Sequence, residues 1–381
     1  MHLNEKTMLK GVHITLLIGP GAPVPAPKSV VEAVSNISVT NSRDRSGFQV
    51  TFTVGKNSPL MNTMLPAGYF DPIVTRVIII ATLNGFPNVL MDGLITNQEM
   101  APSNEPGQSN LSITGEDLSL AMDLVELVKP YPAMPDVAKV YATLAPYAAL
   151  GIAPVVIPPI IPVIKSPTSN WETQRMTDRE YLKFLAGRAG YLFFVEPGPL
   201  PGQSIAYFGP DMNLPVPQAA LSVNMDAHRN VDSLSFSLDG MAKKIRIFTI
   251  MDPVTKKIPI PIPVPNVNVF KPPLGSRPTP PARIEIADEG AGMAPDEAAQ
   301  NILGFLMNNS AAITANGTLD VIRYKQLLRA RMLVGVRGAG LAYDGMYYVD
   351  SVTHNIKRGE YKQSFTLSRD GLISNTPKVA V

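Results

Sequence analysis

Asp344 and Asp350 stand six residues apart in DGMYYVD, where the chain reads as a strand, and an even spacing on a strand puts two side chains on one face. Two carboxylates so placed could divide acid and base work on a glycosidic bond. They also flank Tyr347 and Tyr348 beside a turn, where aspartates serve as hydrogen-bonding or contact groups, and no neighbouring residue defines a substrate. Gly335, Gly338 and Gly340 form a G-x-x-G-x-G run of the kind that lets backbone approach a phosphate. No Lys-Ser/Thr follows it and strand-like sequence surrounds it, so we expect a turn of tight glycines. His2, His13, His228 and His354 are isolated and lack metal-ligand spacing. Cysteine is absent, which removes thiolate metal sites, disulfides and a thiol nucleophile. These residues point away from an enzyme, and no catalytic residue, metal or cofactor is expected.

Composition points toward contacts instead. Charged residues are 17% of the 381-residue chain and prolines number 37, against about 25% charge and about 5% proline in ordinary domains. So little charge suits a subunit whose outer faces are covered by other subunits. A net charge of +2 with no Lys/Arg cluster gives no footprint for nucleic acid.

Between Lys139 and Lys165 runs VYATLAPYAALGIAPVVIPPIIPVI, long enough to span a bilayer and free of charge. Pro146, Pro154, Pro158, Pro159 and Pro162 would leave backbone carbonyls unbonded in lipid. We therefore expect an Ala-rich helix up to Gly151, then an extended proline-rich strand, buried in protein with no direct membrane insertion. The N-terminal MHLNEKTMLKGVHITLLIGPG has acidic Glu5 and a Gly-Pro break that suit a signal peptide poorly, and GVHITLLI reads as a first strand.

The positioning elements follow from periodicity. FQVTFTV places Phe48, Val50, Phe52 and Val54 on one face and Gln49, Thr51 and Thr53 on the other, the second arm of a hairpin over residues 29 to 54. Asn84-Gly85 between two apolar runs signals another hairpin. Glu116 and Asp117 open a short helix. Thr177-Asp178-Arg179-Glu180 has capping-box spacing, with Gly190 at the C-terminal cap. YLFFV and SIAYFG give two strands around Pro197-Gly198. NVDSLSFSLDG alternates imperfectly, IPIPIPVP cannot pair as a central strand, and a helix starts at Ala294-Pro295-Asp296-Glu297. YYVDSVTHNIKRGEYKQSFTLSR is a long hairpin turning at Arg358-Gly359. The fold class expected is mainly β (α+β), with two related β-barrel modules, residues 1–128 and 218–381, around a proline-rich connector and small α/β insert, 129–217. LSITGEDL (111–118) and FTLSRDGL (365–372) share an apolar/hydroxyl alternation that hints at an internal duplication.

Four stretches carry a wider likeness. GVHITLLIGP, GFQVTFTV, TDREYLKFLAGRAGYLFFVEPG and LLRARMLVGVRGAGLAYDGMYYVDSVTHNIKRGEYKQSFTLSRDGL, in this order from Gly11 to Leu372, resemble the phage late control protein D family, and more narrowly the hub subunit of contractile injection systems. The departures are that no spike β-helix and no lysozyme-like domain follow. The resemblance implies a homotrimeric baseplate hub in which each chain supplies two similar barrels, adapting a six-fold inner tube protein to a separate three-fold spike protein, with other baseplate subunits around it. It further implies assembly in the bacterial cytoplasm into a phage-tail-like particle, released or membrane-anchored. The alternative is a cell-wall or carbohydrate-binding baseplate protein using Trp171 and tyrosine-bearing strands. On the hub reading, Arg337, Tyr343, Asp344, Tyr347, Tyr348 and Tyr361 are the candidate interface residues, at a joint between protomers or with the tube.

Overall fold

The computed structural model describes residues 11–376, apart from 44, 106, 163–171, 212–215, 252–258, 266–270, 272, 288–294 and 308–310. The first part of the chain forms β1 (Val12–Pro20), β2 (Val24–Pro25), α1 (Lys28–Ala33), β3 (Val34–Ser42), β4 (Ser46–Val54), β5 (Thr75–Leu83), β6 (Phe86–Ala101) and β7 (Ser109–Asp117). The middle forms β8 (Glu126–Tyr131), α2 (Asp136–Leu144), β9 (Ile152–Val156), β10 (Glu172–Thr177), α3 (Asp178–Ala189), β11 (Tyr191–Pro197) and β12 (Ser204–Pro210). The last part forms β13 (Gln218–Ser222), β14 (Val231–Leu238), β15 (Lys244–Met251), β16 (Pro259–Pro265), β17 (Gly275–Pro278), β18 (Arg283–Ile286), α4 (Pro295–Met307), β19 (Ile313–Asp320), α5 (Val321–Tyr324), β20 (Leu333–Arg337), β21 (Gly345–Lys357), β22 (Glu360–Arg369) and β23 (Gly371–Ser374). The chain is mainly β, as the alternating patterns require.

Local chemistry sets many of these elements. Phe48, Val50, Phe52 and Val54 are all buried on one face of β4. Asn84 and Gly85 join β5 to β6 with φ of 52° and 85°, the left-handed pair that a two-residue hairpin turn needs. Thr177 and Glu180 complete the capping box of α3, and Gly190 ends the helix at φ 69°. Asp117 caps a 3₁₀ helix, Leu118–Asp123, by accepting from Ser119 N. In β16 the prolines alternate with Ile260, Ile262 and Val264, and among the described residues the strand pairs with β15 on one side only. The residues that lack an N–H thus fall on the open edge, where no partner needs it.

The two outer parts have the same strand order. In the first, neighbours run β1-β5-β6-β7-β4-β3; in the last, β13-β20-β21-β22-β19-β14. In each the first strand is followed by the fourth, fifth, sixth, third and second. Their irregularities coincide as well. The second strand slips against the third between Val34 and Asn36, and between Val231 and Ser233. The fifth slips against the sixth between Ile95 and Asn97, and between Val349 and Ser351. Bulges bend and re-aim a strand, so two at matching places are a stronger mark of common architecture than strand count. One strand differs: β1 runs antiparallel to β5, whereas β13 runs parallel to β20.

Matching the bulges corrects the sequence-level pairing of the halves. Gly115 and Leu367 are the equivalent positions on the sixth strands, which sets Ile113 against Phe365 and Leu111 against Gln363. Pairing LSITGEDL with FTLSRDGL is two residues out of register. A two-residue slip keeps every side chain on its face, so alternation alone cannot detect it.

The two halves are joined through one strand pair. β3 pairs antiparallel with β21 from Ser42↔Ser351 to Asn36↔Lys357, which makes one thirteen-stranded sheet. A single apolar cluster, with Phe52, Phe70, Ile79, Tyr347, Phe365 and Leu367 among its members, fills both halves. A second cluster around Tyr181, Leu182, Leu185, Phe193 and Phe208 belongs to the insert. Residues 140–162 follow the expected helix-then-strand course, through a 3₁₀ turn ending at Gly151 (φ 80°) into β9. Val140, Leu144 and Ile152 are buried, but Tyr141, Val155 and Ile160 are exposed in this chain, so the segment is embedded on one side only. No helix among the described residues is long and apolar enough to cross a membrane.

Candidate assembly interface

The residues expected at an interface split into two groups. Arg337, Tyr343 and Asp344 are half-buried around the turn from β20 to β21. Arg337 Nε donates to Ser222 Oγ at 2.8 Å, Tyr343 stacks on Phe236 with ring centroids 4.8 Å apart, and Asp344 Oδ1 accepts from Ala339 N at 2.7 Å. Leu341, at the tip of this turn and missed by the sequence reading, is 89% exposed. Tyr347, Tyr348 and Tyr361 instead lie inside this chain's own fold. Tyr347 O–H donates to the Tyr343 carbonyl and its ring lies under the Arg369 guanidinium at 4.5 Å. Burial raises the pKa of all three tyrosines.

Asp344 and Asp350 do not act as a pair. Asp344 sits in the turn before β21, and Asp350 lies at the β21 bulge, where it accepts from Ser368 Oγ at 2.9 Å. Gly338 (φ 86°) is at the turn, where an added Cβ would collide with the Val223 carbonyl, so the glycine run answers a backbone demand. Among the described residues no group of His, Asp and Glu could hold a metal. Trp171 lies outside the described residues.

Buried charge ties the insert to both halves. Asp211, at the end of β12, pairs with Arg43 at 2.9 Å and Lys271 at 2.8 Å, and Lys271 lies over the Tyr348 ring at 3.5 Å. Burial pushes the nearby Asp350 carboxyl above its ordinary range. Arg331 pairs with Glu196 at 3.0 Å and lies over the Phe194 ring at 3.8 Å. Arg179 reaches Glu116 and Asp123 at 3.1 and 3.2 Å.

His354 is enclosed, and its Nδ1 shares a 2.7 Å hydrogen bond with Tyr361 Oη. Burial, with the Arg329 charge adding to it, pushes this imidazole from 6.5 down to about 3. The native state therefore refuses a proton that the unfolded chain accepts, and the stability His354 permits above pH 6.5 is lost as pH falls from there toward 3. Asp350, with its raised pKa, works in the opposite sense near its own titration. We expect His354→Gln to flatten the pH dependence of unfolding between about pH 6 and 4 by up to about 1.4 kcal/mol per pH unit. Urea titrations at stepped pH measure this; equal slopes in both proteins would refute it.

The outward face of the joined sheet is rich in hydroxyls. Ser233 bonds Thr318 at 2.8 Å, Thr366 bonds Asn316 at 2.9 Å, and Thr40 of β3 meets Thr353 of β21 at 3.1 Å across the joint. A shallow hollow of about 390 Å³ lies on this face over β14, β19, β22 and β21. Such a surface offers neutral hydrogen bonds of the kind found in wet contacts.

No family model and no curated protein matches the sequence. Solved structures do match the fold. The tail protein from Neisseria meningitidis MC58 is 14% identical with a TM-score of 0.58, over 95% of this chain and 98% of that one. The fold is that of a phage tail protein. The 43 kDa tail protein of prophage MuSo2 from Shewanella oneidensis, 13% identical, has a TM-score of 0.59 over 95% of this chain and all, 100%, of that one. The E. coli c3393 protein, described as a component of the type VI secretion system similar to the T4 tail proteins gp27 and gp5, is 10% identical with a TM-score of 0.51, over 91% of this chain and 76% of that one. The tail-protein fold thus runs through the first half, the insert and the last half together.

Proposed function

We propose that this protein is a structural baseplate hub of a phage-tail-like contractile particle, a homotrimer that adapts a six-fold inner tube to a three-fold spike carried by a separate chain. The observation that carries this reading is the repeated strand order with its matching bulges. Two quasi-equivalent halves in each of three chains give six similar surfaces on one side of a ring that has only three-fold symmetry overall, which is what a junction between such partners requires. The tail-protein fold and the neutral hydroxyl face support the same role, and the low charge suits a chain surrounded by other subunits. Residues 1–128, 129–217 and 218–381 are taken as its structural units. The interface role is assigned to Arg337, Tyr343 and Asp344 at the exposed turn; Tyr347, Tyr348 and Tyr361 contribute by holding that turn and β21 from within. Assembly would take place in the bacterial cytoplasm, and the role needs no enzyme activity. Sedimentation-equilibrium ultracentrifugation tests the trimer: we expect three times the chain mass of 41.1 kDa, and a monomer at micromolar concentration would refute it.

A further inference from the structure

β14 ends the thirteen-stranded sheet, with β19 on one side and no strand on the other among the described residues. Ser233–Leu238 contains no proline or lysine, the residues with which open edges are commonly blunted, and Leu238 is 43% exposed. The equivalent strand of the first half, β3, has its outer edge covered by β21 within the same chain. The strand equivalent to β21 is β6. On its side away from β7, β6 pairs with β5 only as far as Leu94, and Asn97–Ala101 meets no strand there among the described residues. One chain therefore holds one completed contact of this kind and both halves of a second, left open at β14 and β6, with six strands between them in the sheet order.

We propose that β14 of one copy pairs antiparallel with Asn97–Ala101 of β6 in a second copy, in the register that β3 takes on β21. Carrying the matched bulges across sets Leu238 against Gln98 and Phe236 against Met100, with Ser237 against Glu99 and Ser235 against Ala101 between them. The hydrogen-bonding directions agree. Asp239 N–H bonds the Ala312 carbonyl on the β19 side, so Leu238 and Phe236, of opposite parity, turn their N–H and C=O groups to the open edge. Phe236 and Met100 are half-buried against the core, and the new ladder would cover both. Tyr343, stacked on Phe236, then stands beside the joint. The contact uses different surfaces on its two sides, so it runs head to tail and closes into a ring where the rotation allows. It rests on the hub reading for the number of copies and on this chain's own pairing for everything else.

The absence of cysteine makes the test direct. Ser237 and Glu99 are exposed and face each other in a non-hydrogen-bonded pair of the proposed ladder, with Cβ atoms roughly 4.5 Å apart, within disulfide reach. On oxidation, a mixture of Ser237→Cys and Glu99→Cys proteins should give a covalent dimer that neither gives alone. The double variant should give a covalent species as large as the assembly, and moving the first cysteine to Ser233 should abolish the link. If the protein assembles at the mass expected of a hub and the matched cysteines do not link, the strand pairing is wrong and the hub reading stands. If the protein stays monomeric, both fall.

Discussion

Asp92→Ala should destabilise the folded chain by about 3–5 kcal/mol. Asp92 on β6 is 1% exposed and accepts from Arg76 Nε at 2.6 Å and Nη2 at 2.7 Å, while Arg76 also donates to the Gly202 carbonyl at 3.3 Å. Alanine would leave a guanidinium buried without its counter-ion, and an unpaired buried charge costs far more than the pair contributes. The same loss would loosen the insert from the first half, because Gly202 and Ser204 are held there through this pair. Arg76→Met with Asp92→Leu should recover most of the stability, since it removes both charges together. Urea unfolding followed by circular dichroism measures both variants. A loss below about 1 kcal/mol in Asp92→Ala would contradict the account of the pair as a desolvated anchor.

Tyr347→Asp should prevent stable folding, at a cost above about 4 kcal/mol. As one of the candidate interface residues in the sequence, Tyr347 would instead give a folded chain that assembles poorly when so changed. Tyr347 is 0% exposed, packed against Phe236 with centroids 6.0 Å apart and beneath Arg369, so a carboxylate there would be buried and would open a cavity. Leu341→Asp, close before Tyr343 and Asp344 in the chain and exposed at the tip of the turn, should leave stability unchanged within about 0.5 kcal/mol. Thermal unfolding of the two variants side by side separates a core position from a surface one. A cooperatively folded Tyr347→Asp protein would overturn the assignment.

Much of the local structure was legible because it obeys short-range rules. Alternation placed Phe48 to Val54, Asn84-Gly85 fixed a hairpin, and Thr177 with Glu180 announced α3. Three features were beyond such rules. The β3–β21 ladder joins residues about 300 positions apart, and neither strand's sequence names its partner. The bulge at Asp232 changes parity locally, which is why NVDSLSFSLDG alternates imperfectly, and Asp344 stands in the turn before β21 while Asp350 sits at its bulge, so the two do not share one regular strand. Tyr347 and Tyr348 are neighbours on one strand and both buried, because the insert and Lys271 cover the face that alternation would leave to solvent. The candidate interface was readable only in part for the same reason. A tyrosine-rich strand looks alike whether its cover is another chain or a distant segment of its own.

The duplication was visible as a hint and misaligned by two residues, since hydroxyl and apolar positions repeat with the pleat and carry no register of their own. The bulges supplied that register. On the proposed pairing they also connect the fold to assembly, because a chain with two equivalent halves and one internal joint would carry, at β14 and at Asn97–Ala101, the parts of the next joint.

A three-dimensional reconstruction of the purified full-length protein by electron microscopy tests that connection most directly. We expect a closed ring in which β14 of each copy lies antiparallel beside Asn97–Ala101 of the next, repeating the β3–β21 joint between every pair of neighbouring halves. A ring in which the β14 edge faces solvent or meets any other surface, or particles that hold a single chain, would contradict it.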